Sequence, residues 1–255
     1  MAKGYGLNRF SAHPDALRVI GHRGAAGHAP ENTLASLRKA AELGVRWVEF
    51  DVMLSGDGVP VLFHDDKLAR TTNGRGWLAG HDLAALKRLD SGSWFGPRFA
   101  GEPIATLSEA LVVLSELGLG ANIEVKPSTG LDSETGRVVG AALKGGWPAG
   151  IPAPVISSFS TEALRTFADA APEFSRALLV WPVPHDWRKQ LDDLGCQALH
   201  CLSRRLREAR AREIIAAGYA LRCFTVNNPR RAQQLFKWGV DGVFSDYPDR
   251  ILKIA

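Results

Sequence analysis

The chain has 255 residues, of which 45% are hydrophobic and 23% are charged, and its formal net charge is +4 at pH 7. This composition predicts a globular protein with a substantial core, built as one large domain or two small ones. Because Glu208 lies within the basic run 204–212 and Glu213 directly follows it, the run is interpreted as a solvated helix face, and nucleic-acid binding is not expected.

Two further features concern the cellular setting. No stretch approaches the length of a membrane span, and polar residues interrupt the first twenty positions. The chain has three cysteines, Cys196, Cys201 and Cys223. Their number is odd and no two of them form a CxxC motif, which favours reduced thiols. We therefore expect a cytoplasmic protein without a signal peptide and without stable membrane association.

Short apolar runs rich in Val, Ile and Phe alternate with longer stretches of helical period. Strands are predicted, in chain order, near 18–22, 47–54, 59–64, 120–126, 154–159, 176–180, 198–202, 219–226 and 242–245. Helices are predicted near 31–43, 106–117, 133–145, 161–171, 185–194, 204–217, 229–238 and 247–253.

The alternation itself predicts the fold. Repeated βα units predict a parallel sheet, and about eight of them predict a closed (β/α)8 TIM barrel. An open doubly wound sheet is the structural alternative, but no GxGxxG motif follows the first strand. Helix starts are expected at Asn32-Thr33 and at Ser160, and helix ends at glycines such as Gly118 and Gly195.

Residues 65–105 interrupt this alternation. They combine turn residues with Trp77, Trp94 and Phe95, which is typical of an ordered excursion. Because the segment leaves directly from His64-Asp65, we expect it to lie beside the functional site. The chain is therefore interpreted as a single barrel domain over residues 1–255, with a small inserted subdomain over residues 65–105.

Carboxylates are placed where a barrel enzyme would use them. Glu49 and Asp51 lie two residues apart on a predicted strand, so both point to one face, and Glu124 and Lys126 repeat the spacing on a later strand. In a small barrel that face is the interior, at the C-terminal mouth. Three converging carboxylates predict a hard oxygen site for Mg²⁺ or Ca²⁺. Structural ion pairs, such as Glu124 with Lys126 or Arg23, are the alternative.

Two histidines, His22 and His64, each end an apolar run beside another polar group. Each is a candidate metal ligand, core residue or proton-transfer group, and a pKa near neutrality suits the last role. The remaining histidines lack this setting and are interpreted as surface or packing residues; they are His28, His81, His185 and His200, with His13 in the N-terminal segment.

Cations and aromatics complete the candidate site. Arg23 and Lys126 could bind phosphate oxygens or balance the carboxylates, and both roles can hold together. Phe159, Trp181 and Phe224 fall at or just after later strands. Most aromatics at such positions belong to the core, but one or two at the mouth could form an apolar wall for a substrate's carbon skeleton.

The assembled pattern resembles the glycerophosphodiester phosphodiesterase family, in its short bacterial cytoplasmic form. The matching motifs run in order along nearly the whole chain: Gly21-His22-Arg23-Gly24, Pro30-Glu31-Asn32-Thr33, Glu49-Phe50-Asp51, His64-Asp65, Glu124-Val125-Lys126, Thr225-Val226-Asn227 and Phe244-Ser245-Asp246-Tyr247-Pro248. One difference is Phe224, where many relatives have Trp; an aromatic wall is kept, but an indole donor is lost.

The resemblance implies a (β/α)8 barrel with an inserted subdomain. It also implies hydrolysis of glycerophosphodiesters to an alcohol and sn-glycerol 3-phosphate, with a divalent cation. Carried over, the metal ligands would be Glu49, Asp51 and Glu124. The acid/base pair would be His22 and His64, and the phosphate-binding cations would be Arg23 and Lys126.

The sequence leaves several alternatives open. The attacking group could be the glycerol hydroxyl next to the phosphate, with a cyclic phosphate as intermediate, or water. The function could instead be that of another barrel phosphodiesterase, of the phospholipase C or sphingomyelinase D type, or of a catalytically silent phosphate- or metal-binding module. The sequence does not select the alcohol, the metal, the acid among the two histidines or the oligomeric state.

Overall fold

A computed structural model describes residues 17–255. Residues 1–16 lie outside the described residues. They include His13 and most of the N-terminal stretch in which no signal peptide was expected. Among residues 17–255, no helix is both long and apolar enough to cross a bilayer.

The described residues contain nine strands and nine helices. The strands are β1 (Val19–Gly21), β2 (Trp47–Leu54), β3 (Pro60–Leu62), β4 (Gly120–Val125), β5 (Val155–Ser158), β6 (Ser175–Val180), β7 (Ala198–Leu202), β8 (Ala220–Phe224) and β9 (Gly242–Ser245). The helices are α1 (Leu34–Glu42), α2 (Leu83–Leu86), α3 (Leu107–Leu117), α4 (Asp132–Gly146), α5 (Thr161–Ala170), α6 (Trp187–Leu194), α7 (Glu208–Ala216), α8 (Pro229–Lys237) and α9 (Pro248–Leu252).

The sheet closes on itself, which confirms the predicted (β/α)8 barrel and rules out the open sheet. Eight strands are parallel in the order β1-β9-β8-β7-β6-β5-β4-β2, and β1 also pairs with β2. The remaining strand, β3, pairs antiparallel with β2 outside the barrel. Closure brings the C-terminal ends of all eight parallel strands to one mouth, where residues that follow the strands can meet.

Local sequence signals position the helices around the barrel. Thr33 caps α1 in a capping box with Ser36, and Ser160 caps α5 by accepting a hydrogen bond from the Ala163 amide. Gly118 and Gly195 end α3 and α6 in the left-handed conformation, as their glycines predict.

Two predicted helices begin later than the sequence pattern suggests. The segment predicted from residue 31 becomes helical only at Leu34, because Thr33 is the cap and Asn32 adopts a positive φ of 56°. The segment predicted over 204–217 splits into a short 3-10 turn and α7, since buried Leu206 is extended between them. Both differences occur where the chain leaves a strand at the mouth.

Apolar residues fill the barrel and the layer between strands and helices. Ile20, Trp47 and Phe244 are buried in the same barrel cluster, and each such side chain contributes roughly 1.5–3 kcal/mol through burial. His200, expected as a surface or packing residue, is fully buried, 5.1 Å from the Phe244 ring and 3.1 Å from Nη1 of Arg222.

The segment between β3 and α3 contains three 3-10 turns and the short helix α2. Its apolar side chains form a separate buried cluster with the β2–β3 hairpin, made of Met53, Val61, Phe63, Leu68, Leu78, Leu86 and Ile104. The excursion is therefore ordered by its own small core, which rests on the hairpin that delivers His64 to the mouth.

Candidate active site

Three carboxylates meet at the mouth because of the strand register. Glu49 and Asp51 alternate to the same face of β2, and Asp51 lies directly opposite Glu124 of β4. One carboxylate oxygen from each residue lies within 4.8 Å of the others. Glu49 is 3% exposed and Asp51 is 1% exposed, so this carboxylate cluster is almost removed from water.

Crowding and burial shift the pKa of each carboxyl in the cluster. Burial, together with the negative charges of its neighbours, raises the pKa of Glu49 well above its ordinary value and that of Glu124 to about 8. Burial also acts on Asp51, but the charges of Arg23 and Lys126 outweigh it and lower its pKa to about 2. The surrounding protein therefore stabilises the negative charge of Asp51. It does not supply enough positive charge to stabilise those of Glu49 and Glu124.

Two cations and one amide surround Asp51. Arg23 Nε lies 3.4 Å from Asp51 Oδ2, and Lys126 Nζ lies 3.6 Å from Asp51 Oδ1 and 3.7 Å from Glu124 Oε1. The Asn32 side chain donates to Asp51 Oδ2 at 2.8 Å and accepts from the Asp51 amide at 3.0 Å. These contacts bring both predicted phosphate-binding cations to the edge of the cluster.

The loop after β1 folds back over the cluster in an unusual backbone conformation. Arg23 and Asn32 both have positive φ, 49° and 56°, which is uncommon for residues with a side chain. This lets the Arg23 amide donate to Glu49 Oε2 at 2.8 Å. Gly24 follows with φ of 84°, and a Cβ there would lie 2.3 Å from Ser36 Oγ, so the loop requires glycine at this position.

His22 directly follows β1 and lies between two carboxylates, of which one is hydrogen-bonded to its ring. Its Nδ1 lies 2.6 Å from Asp246 Oδ1, while its Nε2 lies 3.9 Å from Glu49 Oε2. Asn227 in turn donates to Asp246 Oδ2 at 2.7 Å and accepts from the Asp246 amide at 2.9 Å. With the carboxylate engaging Nδ1, the other ring nitrogen of His22 faces the carboxylate cluster.

His64 is held in a similar way. Its Nδ1 lies 2.5 Å from Asp65 Oδ1, and it follows Phe63, whose amide bonds to the Asp51 carbonyl at 3.2 Å. Partial burial and the charges of Arg23 and Lys126 lower the pKa of His64 against the opposing charge of Asp51. The protonated form of His64 is therefore disfavoured relative to an ordinary histidine, and Nε2 is its second ring nitrogen.

The three predicted wall aromatics form one cluster. Phe159 and Trp181 stack with ring centroids 5.3 Å apart, and Phe224 meets them edge-on at 5.8 and 6.0 Å. Phe159 is 38% exposed and Trp181 is 59% exposed, so the cluster lies at the surface and not in the core. An open cavity of about 360 Å³ is lined by Glu124, Lys126 and Phe159 among others, so the aromatic cluster reaches this cavity through Phe159.

The structure adds residues to which the sequence assigned no role in the site. Asn32 was expected as a helix cap, but Thr33 provides the cap. The Asn32 side chain instead donates a hydrogen bond to Asp51. Asp246 contacts His22 across 224 positions of sequence, a pairing that only the closure of β1 on β9 creates. Asn32 and Asp246 both belong to motifs that carry the family resemblance. Those motifs indicate that the two residues matter, but not which residues they contact.

The donor set fits a hard divalent cation. The cluster offers only carboxylate oxygens, which Mg²⁺ and Ca²⁺ prefer, and no thiol or imidazole belongs to it. The raised pKa values of Glu49 and Glu124 show that added positive charge would be stabilising there. Glu49, Asp51 and Glu124 could therefore hold one such ion.

We expect Glu124→Gln to change how the stability of the metal-free protein depends on pH. The folded-state pKa of Glu124 is about 8, above its ordinary value of 4.5, so its contribution to stability is present below pH 4.5 and lost as pH rises through 8. Gln stays neutral, so the variant should gain several degrees in Tm at pH 8; about 1 kcal/mol corresponds to roughly 2–4 °C.

The measurement is thermal unfolding in chelator from pH 5 to pH 8. Glu173→Gln, at an exposed position outside the site, serves as the control and should follow wild type. A Glu124→Gln profile parallel to wild type would contradict the assigned charge repulsion.

Comparisons with known proteins agree with this geometry. Residues 22–250 match the Glycerophosphoryl diester phosphodiesterase family. A glycerophosphodiester phosphodiesterase of Bacillus subtilis (strain 168) is 33% identical over 94% of this chain and 87% of its own. One from Caldanaerobacter subterraneus subsp. tengcongensis is 32% identical over 93% of this chain and 97% of its own.

A solved structure is similar over the same range. A phosphodiesterase of Oleispira antarctica, determined in complex with the product sn-glycerol-3-phosphate, superposes with a TM-score of 0.91 at 45% identity, covering 93% of this chain and 96% of that one. Fold, site geometry and these similarities converge, and the chain belongs to the glycerophosphoryl diester phosphodiesterase family of phosphoric diester hydrolases.

Proposed function

We propose that this enzyme hydrolyses glycerophosphodiesters to an alcohol and sn-glycerol 3-phosphate, with one divalent cation, Mg²⁺ or Ca²⁺, and two histidines that transfer protons. The observation that carries the proposal is the position of the buried carboxylate cluster, bordered by Arg23 and Lys126 and faced by His22. The Oleispira antarctica phosphodiesterase, whose structure contains sn-glycerol-3-phosphate, supports the assignment of the product. One barrel domain, with an inserted subdomain over residues 65–105, would carry this activity.

Glu49, Asp51 and Glu124 would hold the cation. When bound, the cation would neutralise the cluster and polarise a phosphate oxygen, a Lewis-acid contribution that the side chains lack. The fit rests on the all-oxygen donor set and on two carboxyls whose pKa values are raised.

Arg23 and Lys126 would bind the phosphate. Arg23 keeps a planar guanidinium at the edge of the cluster, and the neighbouring carboxylates raise its pKa despite burial, so it stays charged. Lys126 supplies a point charge on the opposite oxygen of Asp51. Fixed positive charges that do not reorganise during the reaction stabilise negative charge developing on the phosphoryl oxygens.

His22 and His64 would move the protons. In each, a carboxylate engages Nδ1, which fixes the ring and leaves Nε2 to accept or deliver a proton. One histidine would take the proton of the attacking hydroxyl, and the other would protonate the departing alkoxide. The same acid and base roles apply whether the glycerol hydroxyl attacks, through a cyclic phosphate, or water attacks directly.

The alcohol side of the substrate would face the aromatic cluster. Phe159 lines the cavity together with Glu124 and Lys126, and Trp181 and Phe224 pack against the Phe159 ring. An apolar wall contacts a carbon skeleton without selecting among polar head groups, so the charged end would determine substrate class.

A coupled assay for glycerol 3-phosphate tests the proposed reaction. Glycerophosphocholine, glycerophosphoethanolamine and glycerophosphoglycerol should each release glycerol 3-phosphate with Mg²⁺ or Ca²⁺ present. Excess chelator should abolish release, because the cluster would lose the charge that neutralises it. Full activity in excess chelator would contradict the role given to the cation.

Two further substrates separate the alternatives. Bis(p-nitrophenyl) phosphate lacks the neighbouring hydroxyl, so efficient cleavage of it would favour attack by water. Hydrolysis of phospholipids in liposomes without release from glycerophosphodiesters would identify a lipid phosphodiesterase. Absence of turnover on every substrate, with metal bound, would identify a silent binding module.

We also expect His22→Ala and His64→Ala each to lower kcat by about 10²–10⁴ while the fold is kept. His185→Ala is the matched control, because His185 is exposed and distant in sequence from both motifs. If the two histidines act as one unit, the double variant should lose far less than the product of the single losses. Near-normal kcat in either single variant would remove that histidine from the mechanism.

A further inference from the structure

Arg70 makes an uncommon set of contacts for a surface residue. It ends the first 3-10 turn of the segment after β3, Leu68–Arg70. Its guanidinium forks onto two carboxylates at once: Nε and Nη2 bond Asp65 at 2.6 and 3.0 Å, and Nη1 and Nη2 bond Glu31 at 2.8 Å each. The two forked pairs use four of the five N–H donors of the planar guanidinium, a donor set that a lysine lacks.

Each of these carboxylates continues to a residue of the proposed mechanism. Asp65 Oδ1 lies 2.5 Å from His64 Nδ1, and Glu31 Oε1 accepts from Arg23 Nη1 at 2.6 Å. The contacts form one chain, Arg23–Glu31–Arg70–Asp65–His64. Although partial burial opposes it, Arg70 lowers the pKa of both carboxyls, so both are ionised and bind it as charges.

Stability alone gives a weak reason for this arrangement. The Arg70 side chain is 45% exposed, and exposed ion pairs contribute little to folding because water screens them. The two ends of the chain, in contrast, are groups whose orientation matters for the reaction. Arg23 lies at the edge of the carboxylate cluster, and His64 follows the hairpin beside it.

We propose that Arg70 is a positioning residue that sets His64 through Asp65 and Arg23 through Glu31. This inference rests on the proposed function of those two residues. Arg70 belongs to the inserted segment, so the segment contributes to the reaction by ordering the site. A small displacement of a group that transfers a proton or binds phosphate is enough to lower the rate strongly.

Arg70→Lys is the main test, because it keeps the charge and removes the double fork. We expect kcat/KM to fall roughly tenfold to hundredfold, with both kcat and KM affected. Asp65→Asn should act mainly on kcat, through His64, and Glu31→Gln mainly on KM, through Arg23. The control is Arg75→Lys: Arg75 is exposed in the same segment, and the ion pairs formed among residues 17–255 do not involve it.

A double-mutant cycle distinguishes positioning from a merely structural role. Asp65→Asn should cost much less kcat in an Arg70→Lys background than in wild type, because the effect of Arg70 on His64 passes through Asp65. Methylguanidinium should restore part of the kcat of Arg70→Ala and should leave Arg75→Ala unchanged. If Arg70→Ala fails to fold, the lysine variant and the cycle decide.

Three results would overturn the inference: Arg70→Lys matching Arg75→Lys in kcat and KM, strictly additive losses in the cycle, or a loss explained by a lower Tm. Each of these leaves glycerol 3-phosphate release by wild type intact. Absence of release by wild type would contradict the proposed function itself, and this inference with it.

Discussion

The carboxylates of Glu49, Asp51 and Glu124 lie within 4.8 Å of one another and are largely removed from water, so their mutual repulsion has to be balanced. The parallel register of β2 and β4 creates this repulsion by placing Asp51 opposite Glu124. Neither β-strand is free to slip, because a shift of one residue would turn the acidic side chains to the opposite face of the sheet. The charged and amide side chains around this cluster supply positive charge or hydrogen bonds to it, or hold the groups that do.

That support comes from loops, and it requires backbone conformations that are rarely populated. Arg23 and Asn32 have positive φ, and each places a side chain against Asp51. Strain of this kind persists where surrounding contacts over-determine the conformation, and it is common at functional sites. The same loop provides Glu31, which links Arg23 to the inserted segment through Arg70. The barrel strands thus fix the positions of the three carboxylates, and the loops fix the cationic and amide groups that contact them.

Much of this could be predicted from sequence, and the rest could not for definite physical reasons. Period-two spacing placed Glu49 and Asp51 on one face, and the repeated βα pattern indicated the closed barrel that lets Glu124 join them. Asp246 was different, because its contact with His22 depends on how β9 closes against β1 and has no local signature. Asn32 was wrongly interpreted as a helix cap. Asparagine is favoured at helix starts, but its side-chain amide also suits a hydrogen bond to a carboxylate, which is what it forms with Asp51.

Titration calorimetry of Mg²⁺ or Ca²⁺ into the metal-free protein tests the central claim most directly. At pH 7 the pKa of Glu124, raised to about 8, keeps a proton on the cluster, so cation binding should release protons. We predict one cation bound per chain and an apparent enthalpy that changes with the ionisation enthalpy of the buffer, with both effects reduced in Glu124→Gln. Absence of binding, or binding with an enthalpy independent of the buffer, would contradict the account.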